Sequence, residues 1–175
     1  MSRPPDLVLR AALDFLRDEA GFAQVTTLDR QGFPVARTMT AFIRDDWSVD
    51  LVQRGTHARV AQWRSNPRTL IAWIGAPASD ASNDSPHVFD LGLLPPRAVF
   101  VRGTAAVMED EWTVECYQRE LAAQRAVGHT RAPVRDRGRI VADLVGVHLT
   151  PVRIRLEGFS SGANSFDWTV HGGET

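Results

Sequence analysis

The amino-acid sequence predicts a mainly antiparallel β domain with flanking helices, its sheet closed into a small barrel. Three observations lead there. Runs rich in Val, Thr, Phe and Ile follow one another from residue 22, separated only by turns such as "RQG" and "RDD". Five or six strand-like segments in all stand against three helical ones. No strand–GxGxxG–helix unit and no Walker loop occurs, which disfavours a parallel nucleotide-binding sheet.

The elements follow in order. Leu7, Leu9, Leu13, Phe15 and Leu16 have mostly helical spacing, with Asp6 placed to cap the helix and Gly21 to stop it. "FAQVTTLD" (22–29), "PVARTMTAFI" (34–43) and "WSVDLV" (47–52) read as consecutive antiparallel strands. "GTHARVAQWRSNPR" (55–68) reads as a turn, a short helix capped by Thr56, and a stop imposed by Pro67. A strand "RTLIAWIG" (68–75) comes next, then a Ser, Asp, Asn and Pro loop that makes about 76–96 a flexible connection and a candidate lid. "RAVFVRGTAAVM" (97–108) is a long strand in which Gly103 marks a bulge or bend. Residues 109–126 form a helix with acids at its start, 127–138 are irregular, and 145–159 form one strand, or two broken at Pro151. The tail, about 160–175, is Gly and Ser rich with Phe166 and Trp168 as its large anchors. Residues 1–175 read as a single domain without internal repeats.

Composition excludes several classes of function. The net charge is -1, so no global field favours nucleic acid, and any anion site is local. All 20 basic residues are arginine, so lysine-based covalent catalysis is ruled out. Cys116 is the only cysteine, which forbids an internal disulfide and a cysteine metal framework. The first residues carry Asp6, Asp14, Asp18 and Glu19, and no window approaches the ~20 apolar residues of a membrane span. A soluble, cytoplasmic protein with neither nucleic-acid nor membrane partners is expected.

Charge is unevenly distributed. Between Leu51 and Ser79 there is no Asp or Glu, yet Arg54, Arg59, Arg64 and Arg68 all lie there. Arg59 falls in the first turn of its helix, where the dipole disfavours a cation unless an anion sits between them. Alternation in "PVARTMTAFI" puts Val35, Arg37, Met39 and Ala41 on one face. Two readings stay open for these arginines: solvated charge on a helix and an edge strand, or an anion site at a barrel mouth. His57, His87, His129, His148 and His171 lack metal-ligand spacing, and Ser160 and Ser161 lie in no GxSxG setting, so neither a metal centre nor a hydrolase triad is expected.

Taken together, the run "FAQVTTLDRQGFPVARTMTAFI", then "GTHARVAQWRSNPRTLIAWI", resembles the pyridoxamine-phosphate-oxidase-like, FMN-binding split β-barrel family. Gly32, Pro34, Arg37, Arg59, Asn66, Pro67 and Arg68 match its pattern, and "VFVRGTAAVMEDEW" resembles the segment that follows; the resemblance spans about residues 7 to 158. It implies that Arg37 and Arg59 hold the FMN phosphate. It further implies that Thr38, Met39, Thr40, Gln53, Thr56 and His57 line the phosphate, ribityl and ring regions. A homodimer with the flavin at its interface, and flavin-mediated redox of a small molecule, are implied as well.

Related split barrels bind the deazaflavin F420, whose acidic tail would engage further arginines such as Arg54 or Arg97. Others bind haem, for which His57, His87, His129 or His148 would be the axial ligand, or are non-catalytic. Three departures narrow the resemblance. Arg59 replaces the usual lysine, Ala98 stands where the pyridoxamine-phosphate oxidases proper carry glutamine, and their substrate-phosphate segment is not recognisable in "SSGANSFDWTVHGGET". A flavin site is therefore expected, without a vitamin B6 substrate.

Overall fold

The computed structural model describes residues 4–83, 88, 92–160 and 165–170. The chain opens with helix α1 (Asp6–Asp14), which widens into a π turn over Phe15–Glu19. Strands β1 (Ala23–Leu28) and β2 (Pro34–Met39) form a hairpin whose turn is set by Asp29. The Asp29 carboxylate accepts from the backbone N–H of Gln31 and of Phe33, and Gly32 takes φ +86°, a conformation glycine adopts without strain. After β3 (Phe42–Ile43) and β4 (Val49–Arg54) come helix α2 (Ala58–Ser65), β5 (Arg68–Ile74) and β6 (Ala98–Val107). Helices α3 (Asp110–Ala126) and α4 (Arg137–Asp143), then β7 (Leu144–Glu157) and β8 (Ser165–Thr169), complete the domain.

All the strand pairs are antiparallel, in the order β2-β1-β5-β6-β7-β4-β3, with β8 pairing β7 off this path. Strands β2 and β3 are the two ends of the path, yet only Thr40 and Ala41 separate them in sequence. That short link draws the ends together, so the sheet curls into a barrel with a seam. The alternation of β1, β5 and β6 then sends Val25, Ile71, Val99 and Val101 inward, where they meet Leu149, Ile154 and Leu156 of β7. Fully burying each such side chain contributes about 1.5–3 kcal/mol. From α1 and the π turn, Leu9, Phe15 and Leu16 join this core, while α2 adds Trp63, whose indole N–H donates to Thr69 Oγ1 at 3.0 Å.

Strand β7 is continuous, not broken at Pro151. Its first half pairs with β4 through Leu149 and its second half with β8 from Arg153 onward. Pro151 lies in the gap between those partners, where no ladder needs its missing N–H. Against β6 the register shifts between Arg102 and Gly103, leaving Val152 as the extra residue of a bulge. The expected bulge at Gly103 is thus present, and it has a steric cause. A Cβ on Gly103 would lie 2.2 Å from the Thr150 carbonyl oxygen, a backbone atom that cannot swing away. Gly103→Ala is expected to cost about 2–3 kcal/mol by forcing β6 from β7. Denaturant melts check this; a loss below about 0.5 kcal/mol would mean the bulge tolerates a side chain.

Three local expectations are corrected. Helix α4 falls where the sequence reads as irregular until residue 138; Asp136 caps it, accepting from the Arg139 N–H at 2.8 Å, and Ile140 anchors it in the interior. The segment 34–43 is two strands, not one, because the crossing of the seam interrupts it. Part of the tail is a strand: β8 holds Trp168 edge-on to Trp47 at 5.6 Å, and Asp167 accepts from Arg153 Nε at 2.5 Å. Residues 84–87 and 89–91 of the candidate lid lie outside the described residues, as do 161–164 and 171–175 of the tail.

Candidate functional site

The site is built from two adjoining pieces of chain. Arg37 stands in the middle of β2, opposite Val25, on the face that carries half-buried Val35 and buried Met39. Arg59 stands in the first turn of α2. The turn into α2 is set by backbone bonds: Gly55 N–H donates to Asp143 O at 2.9 Å and His57 N–H to Arg54 O at 3.2 Å. That turn places His57, not Thr56, at the N-cap, and no side chain caps the helix. Thr56 is left exposed beside it.

Arg59 Nη2 lies 2.8 Å from His57 Nδ1. A guanidinium can only donate, so Nδ1 is the acceptor and His57 carries its proton on Nε2. The two arginines are close enough to feel each other. Burial, and then the positive charge of Arg37, hold the Arg59 pKa below its ordinary value. Among the described residues no carboxylate lies within ion-pair distance of either one.

Several polar atoms here are buried without a partner: Arg37 Nη1, Arg59 Nε, and both Nε2 and Oε1 of Gln53. Gln53 is 6% exposed and alternates with buried Val49 and Leu51 on β4. An orphaned buried polar group costs about 1–3 kcal/mol, so buried guanidinium nitrogens left unbonded on two arginines that feel each other call for an anionic partner. Facing cations with spare donors suit a phosphate near charge -2, since charge-assisted bonds are the strong ones. The residues present therefore fit the phosphate end of FMN.

The remaining site candidates are spread around this pair. Met39 is buried in the barrel core and supports the strand beneath Arg37. Thr38 is exposed on the opposite face of β2, and Thr40 lies at the seam, lining a separate groove with Phe42 and Val52. Arg54, Arg64 and Arg68 are exposed. Arg97 is committed elsewhere: it grips both Glu19 oxygens, donates to Ala76 O at 3.0 Å and lies over the Phe15 ring at 4.8 Å. It is therefore engaged within the fold and not held out toward an acidic tail. His148 is tied through Nδ1 to Asp50 Oδ1 at 2.7 Å, His129 is exposed, and His87 and His171 lie outside the described residues. Among the described residues no group of three or more His, Cys, Asp or Glu could hold a metal ion.

One cluster escaped sequence reasoning. Asp50, Arg44, Arg119, Glu120 and His148 form a charged network beneath α3. Cys116 lies in the same region, its thiol pushed up to about 12 by burial and by the Asp50 and Glu120 charges, so it stays protonated and unreactive. The only signal in the sequence was an aspartate inside an apolar strand.

No protein-family model matches the chain, and no curated protein matches its sequence. Solved structures do resemble it. A conserved hypothetical protein from Mycobacterium tuberculosis superposes with TM-score 0.61 at 17% identity, covering 91% of this chain and 86% of that one. A protein from Clostridium acetobutylicum, related to general stress protein 26 and of the pyridoxinephosphate oxidase family, gives TM-score 0.61 at 10% identity over 95% and 97%. A haem-binding protein from Mycobacterium smegmatis gives TM-score 0.61 at 18% identity over 97% of this chain, which spans 60% of that protein's length. The chain has the split β-barrel fold that these structures share. At such identities the likeness is one of fold alone.

Proposed function

We propose that this split barrel binds FMN, with Arg37 and Arg59 on the phosphate, and acts as a flavin-dependent oxidoreductase on a small molecule. The observation that carries the reading is the arginine pair: two cations held near each other, without an acid among the described residues, with buried guanidinium nitrogens left unbonded. The flavin would supply the redox chemistry. The chain's own residues would bind and orient it: Arg37 and Arg59 at the phosphate, His57 holding Arg59 in place, and Gln53 offering one donor and one acceptor from the barrel wall. Because Arg37 lies on an end strand of the sheet, we further propose a homodimer with the cofactor at its interface, checked by sedentation-independent light scattering with and without FMN.

The test is an FMN titration followed by flavin fluorescence, with the visible spectrum of the purified protein alongside. Arg37→Ala is expected to weaken FMN binding roughly 10- to 150-fold, the worth of one hydrogen bond to a charged group. Failure of the wild-type protein to take up FMN, or unchanged affinity in that variant, would end this reading. A deazaflavin spectrum would point instead to F420. A Soret band would point to haem.

A further inference from the structure

We propose that the groove between α3 and the outer face of β4 binds an uncharged, apolar molecule of one or two rings, which on the flavin reading is the substrate class of this protein. The cofactor reading above supplies the word substrate; the ligand class itself rests on the groove. Its volume is about 320 Å³, at the small end of the range for ligand pockets. Phe42, Val52, Leu121, Pro133 and Leu144 make its walls, and Thr40 and Gln124 offer isolated hydrogen-bonding groups. Tyr117 closes one side by donating its hydroxyl to Pro133 O at 2.5 Å. The groove reaches the seam at Thr40, on the same segment that carries Arg37.

Charge decides what it accepts. The ionisable groups lining it are Glu120, Arg135 and Tyr117. Arg135 is already neutralised by Asp143 at 2.6 Å. Glu120 is 13% exposed, and its negative charge is shared with Arg44 and Arg119, which also serve Asp50. Its pKa is raised, first by burial, and the same surroundings disfavour a further anion. A phosphate or carboxylate entering here would meet Glu120 and no uncommitted cation. An apolar ring would instead cover Phe42, Val52 and Leu121 without desolvating a charge of its own.

The test pairs two probes of similar shape, neutral phenylnaphthylamine and anionic anilinonaphthalene sulfonate, titrated by fluorescence into the full chain. The neutral probe is expected to bind at one site, and the sulfonate at least about tenfold more weakly, a difference of one step in affinity. Leu121→Trp and Gln124→Trp fill the groove from a half-buried and an exposed position, so at least one should fold. Each is expected to weaken the neutral probe about tenfold while FMN affinity holds. With FMN bound, emission from the neutral probe should be quenched, because it overlaps flavin absorption. Equal binding of the two probes, or neutral-probe binding unchanged in folded filling variants, would overturn the proposal. Probe binding as described without FMN uptake would sustain the groove's ligand class and refute the cofactor reading.

Discussion

Asp50→Ala is expected to destabilise the fold by about 3–5 kcal/mol, because it strips three donors of the one buried acceptor they share. The Asp50 side chain is 4% exposed. It accepts from Arg44 Nε at 2.8 Å, Arg119 Nη2 at 2.7 Å and His148 Nδ1 at 2.7 Å. Those donors come from the loop before β4, from α3 and from β7, so one carboxylate ties a helix to two neighbouring strands. Its loss would leave Arg44 with Glu120 alone and His148 without an acceptor. Arg119 is different: its side chain is 47% exposed and can return to water. Arg119→Ala is therefore expected to cost about 1 kcal/mol or less. For a domain of this size the two melting temperatures should fall by roughly 10 °C or more and by a few degrees, respectively. Equal falls in the two variants would show that burial of Asp50 does not set the cost.

Arg59→Glu should separate function from stability. On the proposed reading it removes one phosphate donor and sets an anion against the phosphate, so FMN affinity is expected to fall about a thousandfold or more. The apo protein should lose no stability. At present Arg37 and Arg59 repel each other, as the lowered Arg59 pKa reflects, whereas the introduced carboxylate would attract Arg37. The site is partly solvated, which keeps this gain small. Differential scanning fluorimetry and an FMN titration on the same preparation read both quantities. Affinity within about tenfold of wild type would end the phosphate-clamp assignment, while a large drop in melting temperature would mean that Arg59 is structural.

Much of the fold was legible because it is local. The β1–β2 hairpin follows from two β-rich runs and an Asp-to-Gly turn, and the shared face of Val35, Arg37 and Met39 follows from their alternation. The bulge at Gly103 was legible for the same reason: glycine in a strand marks a close backbone approach. Helix α4 was not, since seven residues with one buried apolar anchor carry no periodicity; its capping Asp136 was the remaining clue. Thr56 is by type a sound cap, but the backbone bond from Gly55 to Asp143 shifts the turn by one residue. Arg97 and Arg59 look alike in sequence, yet one grips Glu19 and the other has no acid within reach.

By itself, the sequence determined the mainly antiparallel β class with flanking helices, the absence of acids between Leu51 and Ser79, and the presence of arginine on two elements that a barrel brings into proximity. Periodicity and turn chemistry act over a few residues, so chain order carries them. Only the tertiary structure decided which charges are spent and which remain. Arg119 meets Asp50 across 69 residues and His148 meets it across 98, while Arg37 comes near enough to Arg59 to repel it. Electrostatic energy depends on distance and burial, and both are set by how distant segments pack.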